Sequence, residues 1–391
     1  MTRFHFERPD GTSRGQNILE HLNEFVPPQG YGGHGISPSV EEMAYEVAWF
    51  NISFLKRIPL TINVSQVPST QTNFPLLING TFSDLIGFTL AELRFAGIDN
   101  VQLEYEIQKF DSITGELIAW VKMPTISDGD IVNIYYDNPS AIDEQNSSAV
   151  WDVNYKSVYH GQTDGTDSTG NNQDLTQFGT VQTPVPGKIG NGMDFNETVN
   201  DYSIRNPYAG FPLNELTAEF WIKTVTSGEG IISYAVGTGG PDNHFLILGQ
   251  EDLDIYIVNS LENTGMAIDD NVFHHFVITW RSSDGAFIVY IDGVLDYTAT
   301  HRQGFSFTDN GSLVLGQDQD NVGGGFSNAQ ALNGILDEIR LSDNFRSADY
   351  VETSFNNQDN PGAFYATGAE ENVPALVDME YEDGILMEYE N

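Results

Sequence analysis

The amino-acid sequence predicts an all-β protein built as two β-sandwich domains, and three observations carry that expectation. Short runs rich in Val, Ile, Phe and Tyr recur along the chain, bounded by Gly, Pro, Asn or Asp. The 391 residues include 38 glycines, 24 phenylalanines, 17 tyrosines and 5 tryptophans, a turn-rich and aromatic-rich balance. Few stretches place apolar residues at helical spacing, and the length suffices for two ordinary domains with extensions.

In chain order, residues 1–46 read as a short helical N-terminal arm. Ile18, Leu22, Phe25 and Val26 recur at helical spacing, and Pro27-Pro28 stops that helix. After a glycine-rich link, Ser39-Val40-Glu41-Glu42 reads as a capping box that opens a second short helix. The arm is too small to fold alone, so it suits packing on the body or docking into a larger assembly as an attachment segment. Residues 47–151 read as the first sandwich. Runs at 58–64, 74–78 and 131–136 have strand character, and a turn at 111–115 leads into another at 117–121. Residues 152–371 read as a second sandwich with short strands at jelly-roll spacing, including a hairpin from 287–291 that turns at Asp292-Gly293. Residues 372–391 form an acidic C-terminal tail. There Met379-Glu380-Tyr381-Glu382 is echoed by Met387-Glu388-Tyr389-Glu390 across Asp383-Gly384, the pattern of a hairpin. A lone hairpin is marginal in water, so this one should join a sheet of its own chain or of a neighbour.

Charge narrows the partners. Fifty-six acids against 16 bases give a formal charge of −40, which repels nucleic acid and anionic lipid. Such a surface stays soluble in high salt, where self-repulsion is screened, and suits a saline setting. With no cysteine, the chain has no disulfide, thiol chemistry or cysteine-ligated zinc. No apolar run is long enough to span a bilayer, so membrane insertion is not expected. The segment from Met1 to Pro9 lacks a secretory pattern, which points away from the usual export route.

The run from Gly316 to Phe326, with Gln330 after it, holds the main candidate site. Asp318 and Asp320 stand among amide oxygens on a loop loosened by Gly323, Gly324 and Gly325, just after a strand-like run at 312–315. Hard cations such as Ca2+ take roughly six to eight oxygen ligands in a flexible cage, and this loop supplies several. Other polar groups attract less. His274 and His275 precede a strand run without any nucleophile motif and read as packed or solvated residues. Asp378, Glu380 and Glu382 alternate along the tail but lie outside any expected cleft, and read as a solvated acidic face.

Several motifs carry resemblances to known families. Lys56 through Ile62, Leu93-Arg94-Phe95, Leu103 through Ile107, Trp120 through Pro124 and Tyr135 through Pro139 resemble, in order, a bacterial and viral β-domain family of unknown function. That family often precedes a LamG-type module. Asp167 through Asn172, Gly187 through Phe195, Leu216 through Ile222, Asp337 through Ser342, and Phe355 through Gln358 with Phe364-Tyr365 resemble such a module. The resemblance implies a concanavalin A-like jelly roll. Within it, Ile232 through Ala235 leading to Asp242-Asn243, then His275 through Trp280, then Gly316 through Gln330 resemble pentraxins. That implies a first calcium site from Asp242, Asn243, Asp318, the carbonyl of Gln319, and Asp320, and a second drawing on Asp318, Asp320 and Gln330. The chain departs from pentraxins where Asp318 replaces a longer glutamate and Ser327 replaces an acidic ligand. Glu219 and Val277 stand where the family has a disulfide.

Together these readings predict a non-enzymatic virion surface protein, such as a spike, fibre or capsid turret. Its calcium-binding module would touch a host-surface glycan or glycoprotein, and the chain would pack with other virion proteins as a homo-oligomer. The alternatives are a secreted cellular adhesin or surface-layer protein, and a polysaccharide-degrading glycoside hydrolase.

Overall fold

The computed structural model describes residues 3–7, 13–17, 49–161, 165–181, 185–225, 228–237, 242–374, 379–380 and 386–387. In the first sandwich, the strand Lys56–Ile62 turns Ile58, Leu60 and Ile62 inward, where they are fully buried. It pairs antiparallel with Ile131–Tyr136, which in turn pairs with Arg94–Gly97. A second sheet faces it, in the order Gln71–Thr81, Glu116–Ile126, Tyr105–Asp111. Phe74, Leu76, Ile78, Leu117, Ala119 and Val121 fill the space between. The turn expected at 111–115 is the hairpin that sets Asp111 opposite Glu116.

The far end of the chain completes this sandwich. Tyr365–Thr367 and Glu371–Asn372 both pair antiparallel with Lys56–Ile62, while Phe364 and Tyr365 enter the core. Ion pairs Arg57–Glu371 at 2.6 Å and Lys56–Glu370 at 3.2 Å fasten the segment. The helix Ala348–Asp359 closes the open edge of Gln71–Thr81. The Asn357 side chain accepts from the Leu77 N–H at 2.7 Å and donates to the Leu77 carbonyl at 3.0 Å. Two residues on, the Tyr365 hydroxyl accepts from the Asn79 N–H and donates to the Asn79 carbonyl. Side chains thereby take up backbone groups that a bare edge would offer to other chains.

The second sandwich packs a seven-stranded sheet on an eight-stranded one. The first runs Thr176–Phe178, Tyr202–Tyr208, Gly311–Leu315, Gly230–Ala235, Phe245–Leu248, Asp254–Ile257, Ser260–Asn263. The other runs Val185–Pro186, Asn191–Phe195, Gly334–Ser342, Glu215–Thr224, His274–Arg281, Ala286–Ile291, Val294–Thr300, with Tyr155–Tyr159 also paired to Gly334–Ser342. Phe220, Phe276, Trp280, Phe287, Leu313 and Leu315 are among the buried side chains between them. The hairpin at Asp292-Gly293 has φ of 51° and 75° at its two turn residues, the left-handed pair that a two-residue turn between twisted strands requires.

The two sandwiches share a buried seam. Leu77, Ile118 and Trp120 of the first pack with Val150, Trp151, Tyr155, Val158 and Ile189. Through this seam runs a chain of charges. Glu219 Oε1 accepts from Ser354 at 2.7 Å, Gln358 at 2.9 Å and Arg340 at 3.3 Å, and lies 3.0 Å from His275 Nε2. Arg340 continues to Glu338 at 2.9 Å and lies over the Trp120 and Trp151 rings. Glu338 meets His160 Nδ1 at 2.9 Å, and His160 Nε2 reaches Glu106 of the first sandwich at 3.4 Å. Burial alone would lower the His160 pKa, but Glu338 and Glu106 push it up to about 10. His275, expected at a strand edge, is fully buried. Glu219 and Val277 are direct cross-strand partners, so the two positions noted for a disulfide do face each other, with a carboxylate hub at one.

Of the N-terminal arm, Arg3–Glu7 and Ser13–Asn17 form an antiparallel pair. The helices expected at 18–26 and 39–42 lie outside the described residues. In the tail, Met379 pairs with Met387 as the repeat predicts. Among the described residues neither strand pair joins another sheet. Asp378 and Glu382 lie outside the described residues. No helix among those described is long and apolar enough to cross a membrane.

Candidate metal centre

The strand Gly311–Leu315 delivers the acidic loop onto the outer face of the seven-stranded sheet. Its start is pinned by a bridge between Gln317 and Ala331 and by the Leu332 N–H donating to the Gly316 carbonyl at 2.9 Å. Inside the loop, Asn321 and Gly324 exchange two backbone hydrogen bonds, which brings Gly325 against Asp320. A Cβ at Gly325 would stand 2.8 Å from the Asp320 Cβ, and its φ is 78°, so glycine is required there. Gln319 locks the loop to the sheet. Its Nε2 donates to the Ser233 and Ser312 carbonyls at 2.9 Å each, and its Oε1 accepts from the Gly323 N–H.

Asp318 is 5% exposed. Its Oδ1 lies 3.4 Å from the Ser233 hydroxyl, and its Oδ2 accepts from the Gln330 amide at 2.9 Å. Burial first, then the carboxylates of Asp320 and Asp242, hold its pKa up to about 6. Asp242 and Asn243 precede the strand Phe245–Leu248, in the same sheet as Gly311–Leu315. The Asn243 N–H donates to Asp242 Oδ1 at 3.0 Å, and its carbonyl accepts from Asn259 at 3.0 Å. Asp320 is exposed, and Gln330 is half-buried. The two distant segments therefore lie within electrostatic reach of each other. Among the described residues, no three acidic or imidazole groups close into a chelating cluster as they stand. Oxygen donors from carboxylates, amides and a backbone carbonyl are the set that a hard cation takes, so the residues present fit calcium.

Ser327 shows what replaces the acidic ligand of the resembled family. Its side chain accepts from the Ala329 N–H and caps the short helix Asn328–Gln330, which carries Gln330 to Asp318. Sequence reasoning missed that capping role and the electrostatic nearness of Tyr256, whose pKa is raised by burial and by Asp254 and Asp318. Cross-strand pairing of Tyr256 with Leu246 could have signalled the latter only once the sheet order was known.

A cavity of about 230 Å³ opens elsewhere, at the joint between the sandwiches, beside Glu106, Gln108, His160, Thr166 and Ser168. Its Ser168 hydroxyl already donates to Glu106 at 2.7 Å.

Known proteins match parts of this chain. Residues 194–364 match the pentaxin family, and residues 89–169 match a domain of unknown function, DUF2341. A rat protein named for its sushi, von Willebrand factor type A, EGF and pentraxin domains is 35% identical over 145 residues, 36% of this chain and 4% of its own. The human neuronal pentraxin receptor is 30% identical over 151 residues, 37% of this chain and 30% of its own. The chain thus spans a minor part of either relative. A heptameric SAP-like pentraxin from Limulus polyphemus superposes with a TM-score of 0.32 at 24% identity, covering 37% of this chain and 72% of that one. Residues 194–364 are thus similar to the pentaxin family, and the match to DUF2341 begins ahead of them.

Proposed function

We propose that this chain is a non-enzymatic attachment protein whose second sandwich binds host-surface glycans through calcium. Asp242, Asn243, Asp318, Asp320 and the Gln319 carbonyl would hold the ion, and Gln330 would contribute to a second. One observation carries the reading: Asp318 is buried, raised to about 6, and acted on by two further carboxylates. A divalent cation beside that carboxyl would offset its repulsion by the other two. Gln330 holds the place with its amide nitrogen, and turning the amide over would present its oxygen instead. A bound calcium keeps coordination positions that a pair of sugar hydroxyls can fill. The ion loop lies on the seven-stranded sheet, away from the seam on the eight-stranded sheet, so a large glycan can approach it.

The wider setting we propose is a virion surface, with the chain as a homo-oligomer among other virion proteins. Two features support it. Among the described residues, the terminal strand pairs serve neither sandwich, which suits contacts between subunits. A charge of −40 suits a saline host.

Glycan-array binding run with calcium and then with chelator tests the core of this reading. Binding that disappears on chelation supports it. A wild-type protein that binds no sugar and melts at the same temperature with and without calcium overturns it. Immunogold labelling of purified particles tests the setting, and label on cell envelopes instead would assign the protein to a cellular adhesin.

A further inference from the structure

Beside the acidic loop, three aromatic rings form a column that the ion site does not use. Phe178 and Tyr202 are cross-strand partners on the outer face of the seven-stranded sheet, stacked at 4.8 Å between ring centres with 13° between planes. Tyr202 meets Phe326, a residue of the acidic loop itself, at 4.2 Å. The strand Thr176–Phe178 is the outermost of its sheet, and Phe178 is 43% exposed. Tyr202 covers one face of its ring. Exposed amides of Asn206 and Asn321 border the loop nearby, and Asn206 Nδ2 would lie 2.5 Å from a Cβ at Gly323.

We infer that this column is a sugar-stacking subsite, with Phe178 taking the apolar face of a pyranose two or more units along a neutral oligosaccharide held at the ion loop. The inference rests on the glycan reading above and extends it. Three features select this occupant. A flat apolar ring beside a loop that carries exposed amides suits a sugar, which is apolar on its C–H face and polar at its rim. The column joins the ion loop through Phe326, so one chain can span both. The surface, with 56 acids against 16 bases, disfavours an anionic chain away from the ion.

The test starts with wild-type protein in calcium on immobilised neutral oligosaccharides: glucan, mannan, xylan, galactan and chitin fragments. On the tightest binder, F178L, F178W and D318N are then compared with wild type. F178L keeps apolar volume but removes the flat ring, so it should fold, with an unchanged circular-dichroism spectrum. It should bind about five- to tenfold more weakly, F178W should retain affinity, and both should remain calcium-dependent. If D318N loses binding while F178L binds as wild type, the ion site stands and the stacking subsite is refuted. If wild type binds only anionic sugars, the neutral-chain inference falls although a glycan is bound. If wild type binds no sugar, both readings fall together.

Discussion

Asp318 and Glu219 are both buried carboxylates, and their neighbours give them opposite character. Burial would raise Glu219, but Arg340, His275 and Ser354 hold it well below the usual carboxylate range. Burial raises Asp318 too, and there Asp320 and Asp242 add to the rise. Glu219 is thus a structural anion, while Asp318, on the proposed reading, is the carboxyl that a cation would serve. The sign of the pH effect follows. A folded-state pKa of about 6 lies above the unfolded value, so without metal the Asp318 contribution favours folding at low pH. It is lost as pH rises through about 6. Calcium and the proton compete for the same oxygens. The rise in melting temperature on adding calcium should therefore be clear at about pH 7.5 and vanish by about pH 5, read by scanning calorimetry. A calcium shift independent of pH would exclude Asp318 as a ligand. Arg340 tests the structural anions. Replacing it by Ala leaves Glu219 and Glu338 buried without their shared cation, and should cost about 3–5 kcal/mol in urea unfolding. A loss below about 1 kcal/mol would mean the network carries no net weight.

At the scale of elements, the strands were legible because side chains alternate between core and solvent or form short buried runs. The runs at 131–136 and 287–291 sit in observed strands, the run at 58–64 overshoots the strand Lys56–Ile62 by two residues, and the Asp292-Gly293 turn lies where its residues require it. The helix Ala348–Asp359 was not legible. Its buried residues are Tyr350, Val351, Thr353, Ser354, Asn357 and Gln358, so polar side chains occupy the face where an apolar stripe would normally mark a helix. Those side chains hold Glu219 and Leu77, partners that no local pattern reveals. The acidic loop was visible from composition and spacing. Its short capped helix was not, because Ser327 was read only as a missing ligand. That residue yields a prediction of its own. S327E should strengthen the calcium-induced stabilisation while lowering metal-free stability by about 0.5–2 kcal/mol, through loss of the cap. Isothermal titration and thermal melts check the two halves separately.

At the scale of the whole molecule, the two sandwiches are tied together by a buried seam. The last strands complete the first sheet, the helix before them closes its edge, and charges run unbroken from Glu219 to Glu106. None of this was legible in sequence, because strands of three and two residues pair with a segment some three hundred positions away. Calorimetry should give a single transition whose calorimetric and van't Hoff enthalpies agree. Two separated transitions would show that the seam is weak. Truncation after Phe364 should uncover the edge of Lys56–Ile62 and abolish that transition for both sandwiches, with aggregation read by light scattering.

The ordering of synthesis gains meaning from those late strands. Domains emerging from a ribosome ordinarily settle one after another, the earlier finishing while the later is still being made. Here the earlier one lacks its edge until residue 372 has been translated, so it must wait, partly assembled, through the making of its neighbour. A stalled or prematurely ended translation product would then expose an unfinished sheet, and quality-control proteases would have a signal that the chain is incomplete.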